Sequence, residues 1–503
     1  MRAQGGFLIF DFRYSPGRAP LSRWLVPALA LGFSLAMAGF SRGFLELDEL
    51  AHFLFARAVW HDWRQLVNVW ARLGPTGLYA LAAPLGIVGP RLVAVAVTAL
   101  TASGTSLLLQ HFLRDAHGGF FRRHATACAW LLLFAQPCFL LNSFTVMTEM
   151  PLACAWVWAL VALVRWRRGA LAGLLLGMGG LMRPEGWLAI AAWPVILACF
   201  SGLFAGPRPA RRLGSLLLSM FLAVLPAGVW YLLWMAAWHD PQRFTGTWPW
   251  PAASQYGRNG LLFVLSSLVV LAVWMWAPVL LGAWTCWKNR VQSPGAWYLV
   301  ALPAAAFFLF HATAGTWGLF GSLSLPRYFV AVAPQIAILA VLGLVRLEPR
   351  AGRALPMVVV ALALLPLAAL TALGYLPMRP TVEQQRLDIA VQAVRDRGAD
   401  TSRLIVGHVY VLFQLRLDPD CPAHVRAISR DDIAEAPAGT LLIADTETWV
   451  YDGGPTAEEL RQWDYREDPL ITARVDGVVE RFEPLTFKAA GAGAARVRLW
   501  VKE

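Results

Sequence analysis

Three carboxylates and an imidazole are crowded into residues 45–52, directly after the first apolar stretch of the chain. A helix beginning near Leu47 would place Asp48 and Glu49 within one turn of His52, so the acids and the ring can converge near one face. A carboxylate held this way can act as a general base, which makes Asp48 and Glu49 the candidate catalytic residues. The alternative is structural, because an acid such as Asp48 also suits a helix N-cap.

The remainder of this loop has the pattern of a membrane-surface segment. Leu50, Phe53 and Leu54 fall on a separate face of the same helix and are expected to lie on the membrane. Residues 53–73 interleave apolar and charged side chains and contain three tryptophans, a residue enriched at membrane interfaces. They predict one or two amphipathic helices.

Further ionisable residues occur beside apolar runs. Glu149 stands two residues before Pro151, and Arg183 and Glu185 share a very short turn. A charge near the bilayer centre costs about 3 kcal/mol on insertion scales, so each should have a partner or a function. Arg183 could bind phosphate oxygens through its planar fork. The alternatives are a helix-start acid for Glu149 and an interfacial ion pair for Arg183 with Glu185.

Two later features extend this set. Arg327 and Tyr328 precede a late apolar run, on the side where arginine is disfavoured. Residues 238–258, which include His239, are rich in aromatic rings that can stack on sugars or form an interfacial belt.

Composition predicts the class of protein. The chain has 503 residues, of which 58% are hydrophobic and 15% charged, too apolar for an ordinary soluble domain. Because a spanning helix needs about 20 apolar residues, we expect about eleven transmembrane helices. The apolar runs are residues 24–40, 90–110, 125–141, 151–164, 170–182, 187–204, 213–238, 261–287, 296–312, 328–345 and 355–376.

Arginine placement predicts the orientation. With eleven helices, the arginine clusters before the first run and after every even-numbered run share one side, which the positive-inside rule assigns to the cytoplasm. Bacterial-type inner membrane is the expected location, with the acidic loop and the C-terminus outside. These clusters account for most of the net charge of +12, so nucleic acid is not an expected partner.

The last part of the chain changes character. Residues 1–377 form the predicted membrane domain, and residues 378–503 are polar enough for one small soluble domain. A helical pattern over 382–397 and short apolar runs at 403–406, 440–444 and 495–501 predict an α/β fold.

Several short motifs resemble those of one enzyme family. They are Leu47-Asp48-Glu49, Ala56-Arg57, Asp62-Trp63, Gly74-Pro75, Leu78-Tyr79, Gly89-Pro90-Arg91, Thr148-Glu149-Met150-Pro151, Arg183-Pro184-Glu185-Gly186 and Pro326-Arg327-Tyr328. In this order they resemble the membrane-embedded class C glycosyltransferases of the protein mannosyltransferase and aminoarabinose transferase type. Departures from the pattern are Gly74-Pro75-Thr76 at the family's Lys-Pro-Pro step and His52 where an aromatic residue is common.

The resemblance implies transfer of a sugar, with inversion, from a polyprenyl-phosphate donor to a glycan, lipid or protein acceptor on the outer face. It implies Asp48 as base, with Glu49 beside it, and Arg183 and Arg327 on the donor phosphate. Glu149, Tyr328 and His239 would line the substrate site, and Asp48, His52 and Glu149 would hold a divalent metal, Mg, Mn or Zn.

Two other classes of function fit the same composition. A secondary transporter of a lipid-linked or anionic substrate would also place charges at membrane depth, although it should show an internal repeat, and none is evident. A catalytically inactive envelope-assembly subunit would keep the helices and have no need of Asp48.

Overall fold

A helix occupies each predicted apolar run in the computed structural model. The structure describes residues 22–68, 71–114, 119–199, 209–239, 260–291, 294–317, 319, 325–352, 354–398, 401–419, 430–445, 454–478 and 497–503. Its helices up to the last apolar run are α1 (Ser22–Phe40), α2 (Leu47–Ala58), α3 (Leu73–Ala80), α4 (Val88–Phe112), α5 (Phe120–Arg123), α6 (Ala125–Phe134), α7 (Pro137–Asn142), α8 (Glu149–Leu160), α9 (Gly169–Met182), α10 (Glu185–Cys199), α11 (Pro209–Trp238), α12 (Gly260–Ala272), α13 (Trp276–Lys288), α14 (Pro294–Ala296), α15 (Leu302–Trp317), α16 (Ala333–Ala351) and α17 (Ala354–Ala372). Short 3-10 segments include Trp63–Val67 and Pro326–Val332.

Six segments of the described chain are long and apolar enough to cross a bilayer: Val88–Phe112, Leu213–Trp238, Phe263–Lys288, Pro294–Trp317, Pro326–Ala351 and Ala354–Ala372. Four more apolar helices are shorter: Trp24–Phe40, Ala125–Phe134, Gly169–Met182 and Glu185–Leu197. A polytopic helical membrane fold is thus confirmed. The number of helices that span stays a prediction.

Burial separates the centre of the bundle from its edge. In the most apolar stretch of Pro326–Ala351, 89% of the residues are buried, whereas the share is 22% in the corresponding stretches of Leu213–Trp238 and Ala354–Ala372. A helix enclosed by protein can carry a charged residue that has partners, and Arg327 is in the first turn of this central segment.

The first loop forms α2, the segment Trp63–Val67 and α3, as its pattern predicts. Trp60 and Trp63 are 61% and 50% exposed, in keeping with an interfacial position. The apolar face of α2 departs from the expectation. Leu50, Phe53 and Leu54 do not lie on a membrane surface, because they are buried in an apolar core shared with α3, α4 and the C-terminal domain.

The C-terminal domain is a small α/β fold. Its strands β1 (Leu404–Val406), β2 (Leu441–Asp445), β3 (Tyr465–Glu467) and β4 (Val497–Lys502) lie in the order β1-β2-β4-β3. Strands β1 and β2 are parallel, and β4 runs antiparallel to β2 and β3. Its helices are α18 (Val382–Asp396), α19 (Val409–Leu415), α20 (Arg430–Ala434), α21 (Ala457–Gln462) and α22 (Pro469–Asp476).

Two glycines permit close contacts that position the first loop. A Cβ on Gly43 would lie 2.1 Å from the Arg379 carbonyl oxygen, and one on Gly74 would lie 2.8 Å from that of Leu181. The first contact joins the root of the acidic loop to the start of the C-terminal domain. The second joins α3 to the end of α9, next to Arg183.

Candidate active site

Arg327 is the buried centre of a cluster of charges. The exposed fraction of its side chain is 6%, and its guanidinium pairs through Nη1 with Glu46 Oε2 and through Nη2 with Asp48 Oδ2. Its Nε lies 3.3 Å from Glu149 Oε1. One arginine of the central segment therefore joins the acidic loop to the start of α8.

Arg183 forms the second half of this cluster. Its Nη1 donates to Glu149 Oε1 at 2.6 Å and to Thr148 Oγ1 at 2.9 Å. Its Nε and Nη2 donate to the two oxygens of Glu185 at 3.1 and 2.7 Å. The Arg183–Glu185 pair foreseen as an alternative does form, and it is buried rather than interfacial.

Tyr328 and His311 close one side of the cluster. The Arg183 guanidinium carbon lies 4.6 Å from the centre of the Tyr328 ring, close enough for a cation–π contact. His311 Nε2 is 3.7 Å from Glu185 Oε1, and its ring is 5.4 Å from that of Tyr328. Sequence analysis missed His311. An imidazole within an apolar span was the available signal.

Asp48 and Glu49 lie on different sides of α2. The helix begins at Leu47, its N-cap is Glu46, and no side chain caps it, so Asp48 has no capping role here. Glu49 is fully buried and accepts from Arg91 Nε at 2.8 Å and from the Leu45 amide at 3.0 Å. Of these two neighbouring acids, Asp48 faces Arg327 and Glu49 faces Arg91.

Glu49 is directed toward the buried guanidinium of Arg91. Arg91 is 1% exposed, and it also donates to the carbonyl oxygens of Ser41 at 2.6 Å and Gly43 at 2.8 Å. The Glu49–Arg91 pair thus fixes the chain that leads into α2. A pair this deeply buried needs such additional hydrogen bonds to offset its desolvation.

Glu46 and Asp48 share one guanidinium but differ in acidity. Burial raises the pKa of Glu46 to about 7, even though Arg327 opposes this. For Asp48, burial also acts to raise the pKa, but Arg327 and then His52 outweigh it and hold the pKa below its usual value. Two neighbouring carboxylates with separated pKa values are typical of acid–base sites.

His52 is neutral near pH 7 in this setting. Burial lowers its pKa to about 3, against the opposing effect of Asp48. A neutral ring has one N–H group that can donate a hydrogen bond and one nitrogen that can accept a hydrogen bond, and it adds no charge to the cluster.

Arg72 lies beside the cluster and was not singled out from the sequence. Its Nε is buried without a hydrogen-bond partner among the described residues. Burial, with Arg183, lowers its pKa to about 10, which leaves it protonated near pH 7. Its backbone has φ of +66°, an unusual value for a residue with a side chain.

His239 directly follows the last residue of α11. It lies at the exposed end of α11, and none of the ion pairs found within the described ranges includes it. The aromatic residues that follow it, 240–259, lie outside the described part of the chain.

The proposed metal ligands Asp48, His52 and Glu149 do not meet around one point. Among the residues that the structure describes, the metal-binding geometry is met instead by Glu383, His408 and Asp445, whose ligand atoms lie within 4.8 Å of one another. Arg327 stands between Asp48 and Glu149 and pairs with both, so its guanidinium takes the position that a cation would need.

In the group of the C-terminal domain, one nitrogen of His408 already accepts a hydrogen bond from the backbone. His408 Nδ1 accepts from the Tyr410 amide at 3.1 Å, so a neutral ring carries its proton on Nε2. That nitrogen lies 3.3 Å from Glu383 Oε1. A metal bound at Nε2 would require the proton to move to Nδ1, where it would face the Tyr410 N–H.

Comparison with known proteins identifies the architecture. No protein-family model matches the sequence, and no curated protein matches it. The crystal structure of ArnT from Cupriavidus metallidurans in the apo state is similar, with a TM-score of 0.63 at 16% identity, over 85% of this chain and 93% of that one. The fold is that of ArnT.

ArnT bound to undecaprenyl phosphate, from the same organism, is also similar, with a TM-score of 0.57 at 15% identity. That likeness covers 95% of this chain and 97% of ArnT, so it extends over both domains. ArnT is an aminoarabinose transferase of the class C glycosyltransferases. The resemblance inferred from short motifs is therefore confirmed at the level of the fold.

Proposed function

We propose that this protein is a membrane glycosyltransferase that moves a sugar from a polyprenyl-phosphate-linked donor to an acceptor at the extracytoplasmic face. One observation carries the proposal: Arg327, the candidate phosphate ligand, contacts both Asp48, the candidate base, and Glu149. The ArnT fold supports it, since a neighbour with this fold binds undecaprenyl phosphate.

Asp48 is the proposed base. Its depressed pKa keeps it ionised near pH 7, ready to accept the proton of an acceptor hydroxyl. The acceptor oxygen forms a bond to the anomeric carbon as the bond from that carbon to the phosphate oxygen breaks. The proton ends on Asp48 and the electron pair leaves with polyprenyl phosphate. Attack opposite the leaving phosphate inverts the anomeric centre.

Arg327 is the proposed ligand of the donor phosphate. In this structure its three nitrogens face three carboxylates, which compete with any incoming anion. A phosphate that takes the Nη1 and Nη2 positions in a two-pronged contact would displace Glu46 and Asp48. Donor binding would thereby release Asp48 for the acceptor, which couples the two halves of the reaction.

Arg183 and Arg72 differ in how much of their hydrogen-bonding capacity is available. All three nitrogens of Arg183 donate to Glu149, Glu185 or Thr148, so direct phosphate binding by Arg183 would require it to release one of these partners. Arg72 pairs with no carboxylate in the described ranges and adds positive charge at the same cluster. We therefore include Arg72 beside Arg183 and Arg327 as a cation for the growing charge on the phosphate.

Glu149 and Tyr328 are proposed to line the substrate site, because both touch the two arginines. We also propose His239, at the end of α11, as a lining residue. A divalent metal at Asp48, His52 and Glu149 does not fit the arrangement observed, so side chains alone carry each step above. The acceptor, a glycan, lipid or protein, is reached from outside the membrane, and the expected location is a bacterial-type inner membrane.

Lipid analysis of a deletion strain tests the proposal. We expect mass spectrometry to show accumulation of a polyprenyl-phosphate sugar and loss of that sugar from an envelope component. Restoring the wild-type gene should reverse both changes, and restoring an Asp48→Asn gene should reverse neither. A transporter predicts the donor to accumulate on the cytoplasmic side, and an inactive assembly subunit predicts that Asp48→Asn complements fully.

A further inference from the structure

Helix α2 lies between the cluster of charges and the C-terminal domain. Its first turn presents Asp48 to Arg327, while Leu50, Phe53 and Leu54 are 0%, 2% and 0% exposed on its other side. Those three side chains share one apolar core with the C-terminal domain. The place of the candidate base is thus set on one side by an ion pair and on the other by an apolar core, formed by α3, α4 and the C-terminal domain.

Aromatic contacts form the centre of this junction. The ring of Phe413 in α19 lies 5.2 Å from that of Phe44 and 5.7 Å from that of Phe53, edge-on to both. Tyr410 approaches Phe44 at 6.1 Å. Edge-to-face pairs at these separations have a preferred geometry, so they orient α2 as well as bury it.

A polar contact fixes the far end of the same helix. Arg57 donates through Nε at 3.2 Å and Nη2 at 3.0 Å to Asp418 Oδ1, and through Nη2 at 2.6 Å to the Leu417 carbonyl oxygen. Its guanidinium also lies 5.7 Å from the centre of the Phe53 ring. Partial burial strengthens such a contact relative to an exposed pair.

The chain that leads into the C-terminal domain binds the residues that precede α2. The amides of Arg42 and Gly43 donate to the Met378 carbonyl oxygen at 2.9 and 3.0 Å, and the Met378 amide donates to Ser41 Oγ at 3.1 Å. Both ends of the segment that carries Asp48 are therefore bound by the C-terminal domain or by the chain that leads into it.

We propose that the C-terminal domain is a positioning element for the transfer reaction, in which Phe413 and Asp418 hold α2 where Asp48 reaches Arg327. The domain touches no reacting atom in this role. The proposal rests on the proposed function, because the step it affects is the deprotonation assigned to Asp48. A displacement of about 1 Å in a reacting group can lower a rate by about a hundredfold, so loss of these contacts should be visible in kcat.

The test uses the full-length protein in proteoliposomes and three variants. Phe413→Ala removes the ring from the junction, and Phe413→Leu keeps an apolar side chain there. Leu460→Ala is the matched control, since Leu460 is 1% exposed in a core on the other face of the sheet that contains no residue of α2. We expect Phe413→Ala to lower kcat at least tenfold with an unchanged KM for the lipid-linked donor, Phe413→Leu to restore most of kcat, and Leu460→Ala to leave kcat unchanged.

Hydrogen exchange of the same variants gives a readout that does not depend on the reaction. Faster amide exchange in α2 of Phe413→Ala, but not of Leu460→Ala, supports the positioning role even if wild-type protein transfers no sugar and the proposed function fails. Equal loss of kcat in Phe413→Ala and Leu460→Ala would indicate general destabilisation and overturn the proposal. Unchanged kcat and unchanged exchange in Phe413→Ala would overturn it too, as would a raised KM at constant kcat.

Discussion

Arg327 Nη2 donates to Asp48 Oδ2, a contact between residues 279 positions apart. It places a cation from the central helical segment against the acid of the first loop. In the proposed reaction this pair is the resting state, and the donor phosphate replaces Asp48 as the partner of Arg327. The predictions below follow from that exchange and from the contacts that surround it.

Arginine geometry should matter more than charge at position 327. Arg327→Lys keeps a positive charge but loses the planar fork that can hold two phosphate oxygens. We expect Arg327→Lys to raise KM for the lipid-linked donor about tenfold or more. We expect Arg183→Lys to lower kcat, because the lysine would hold Glu149 less firmly. Steady-state kinetics with varied donor measures both. An unchanged donor KM in Arg327→Lys would rule out bidentate phosphate recognition by Arg327, and an unchanged kcat in Arg183→Lys would rule out the role of Arg183 in holding Glu149.

Glu49 should contribute to stability through Arg91. Glu49→Gln leaves a buried guanidinium without its counter-charge, and breaking a buried pair costs about 3–5 kcal/mol. We expect a large fall in the unfolding temperature of the detergent-solubilised protein. Asp62→Asn is the control, because the Asp62–Arg64 pair is largely exposed and such pairs contribute about 0–1 kcal/mol. If Glu49→Gln unfolds like wild type yet loses activity, Glu49 has the catalytic role predicted from the sequence.

The free energy of unfolding should depend on pH through Glu46 and His52, whose pKa values are shifted in opposite directions. The pKa of Glu46 is raised from 4.5 to about 7, so the folded state binds more protons than the unfolded state in this range and Glu46 makes stability fall as pH rises through it. The pKa of His52 is lowered from 6.5 to about 3, so His52 makes stability rise with pH between those values.

Single variants should separate these two contributions. Relative to wild type, the unfolding temperature of His52→Gln should rise less steeply or fall from pH 4.5 to pH 7, since the His52 contribution is removed and the Glu46 contribution is kept. In Glu46→Gln it should increase from pH 3 to pH 6.5. Thermal unfolding of both variants across this range is the measurement, and identical profiles would contradict the assigned burial of these groups.

Membrane orientation has a direct test. A reporter fused after Glu503 should be active only outside the cytoplasm, because the predicted eleven spans would place the two termini on opposite sides and the arginine clusters predict the cytoplasmic side. A fusion before the first apolar run should give the opposite result. Cytoplasmic activity of the fusion after Glu503 would mean that the number of spans is even.

Sequence analysis could predict the helices, the small α/β domain and the importance of Asp48, Glu149 and Arg327, which lie together. Apolar periodicity determines element type, and charges at membrane depth are costly enough to stand out. It could not determine what covers the apolar face of α2, because a pattern shows that Leu50, Phe53 and Leu54 avoid water and does not distinguish lipid from a second domain.

Sequence analysis also could not determine which residues pair when they are far apart along the chain. Adjacent acids in one loop cannot be assigned to opposite sides without knowing their partners, and Glu49 is paired with Arg91, 42 residues away. Glu46 was passed over for the same reason. His311 carried a signal of its own, but its proximity to Glu185 arises only when α10 and α15 are brought together.

Asp48→Asn tests the central claim most directly. Asparagine keeps the shape and removes the charge, and no capping bond is lost because Asp48 does not cap α2. The measurement is release of polyprenyl phosphate from a polyprenyl-phosphate sugar by purified protein in proteoliposomes, with Asp62→Asn as the control. We expect Asp48→Asn to stay folded and to lose about 10² to 10⁴-fold in kcat, the range of general-base catalysis. A folded Asp48→Asn protein that transfers sugar at the wild-type rate would contradict the assignment of Asp48 as the base.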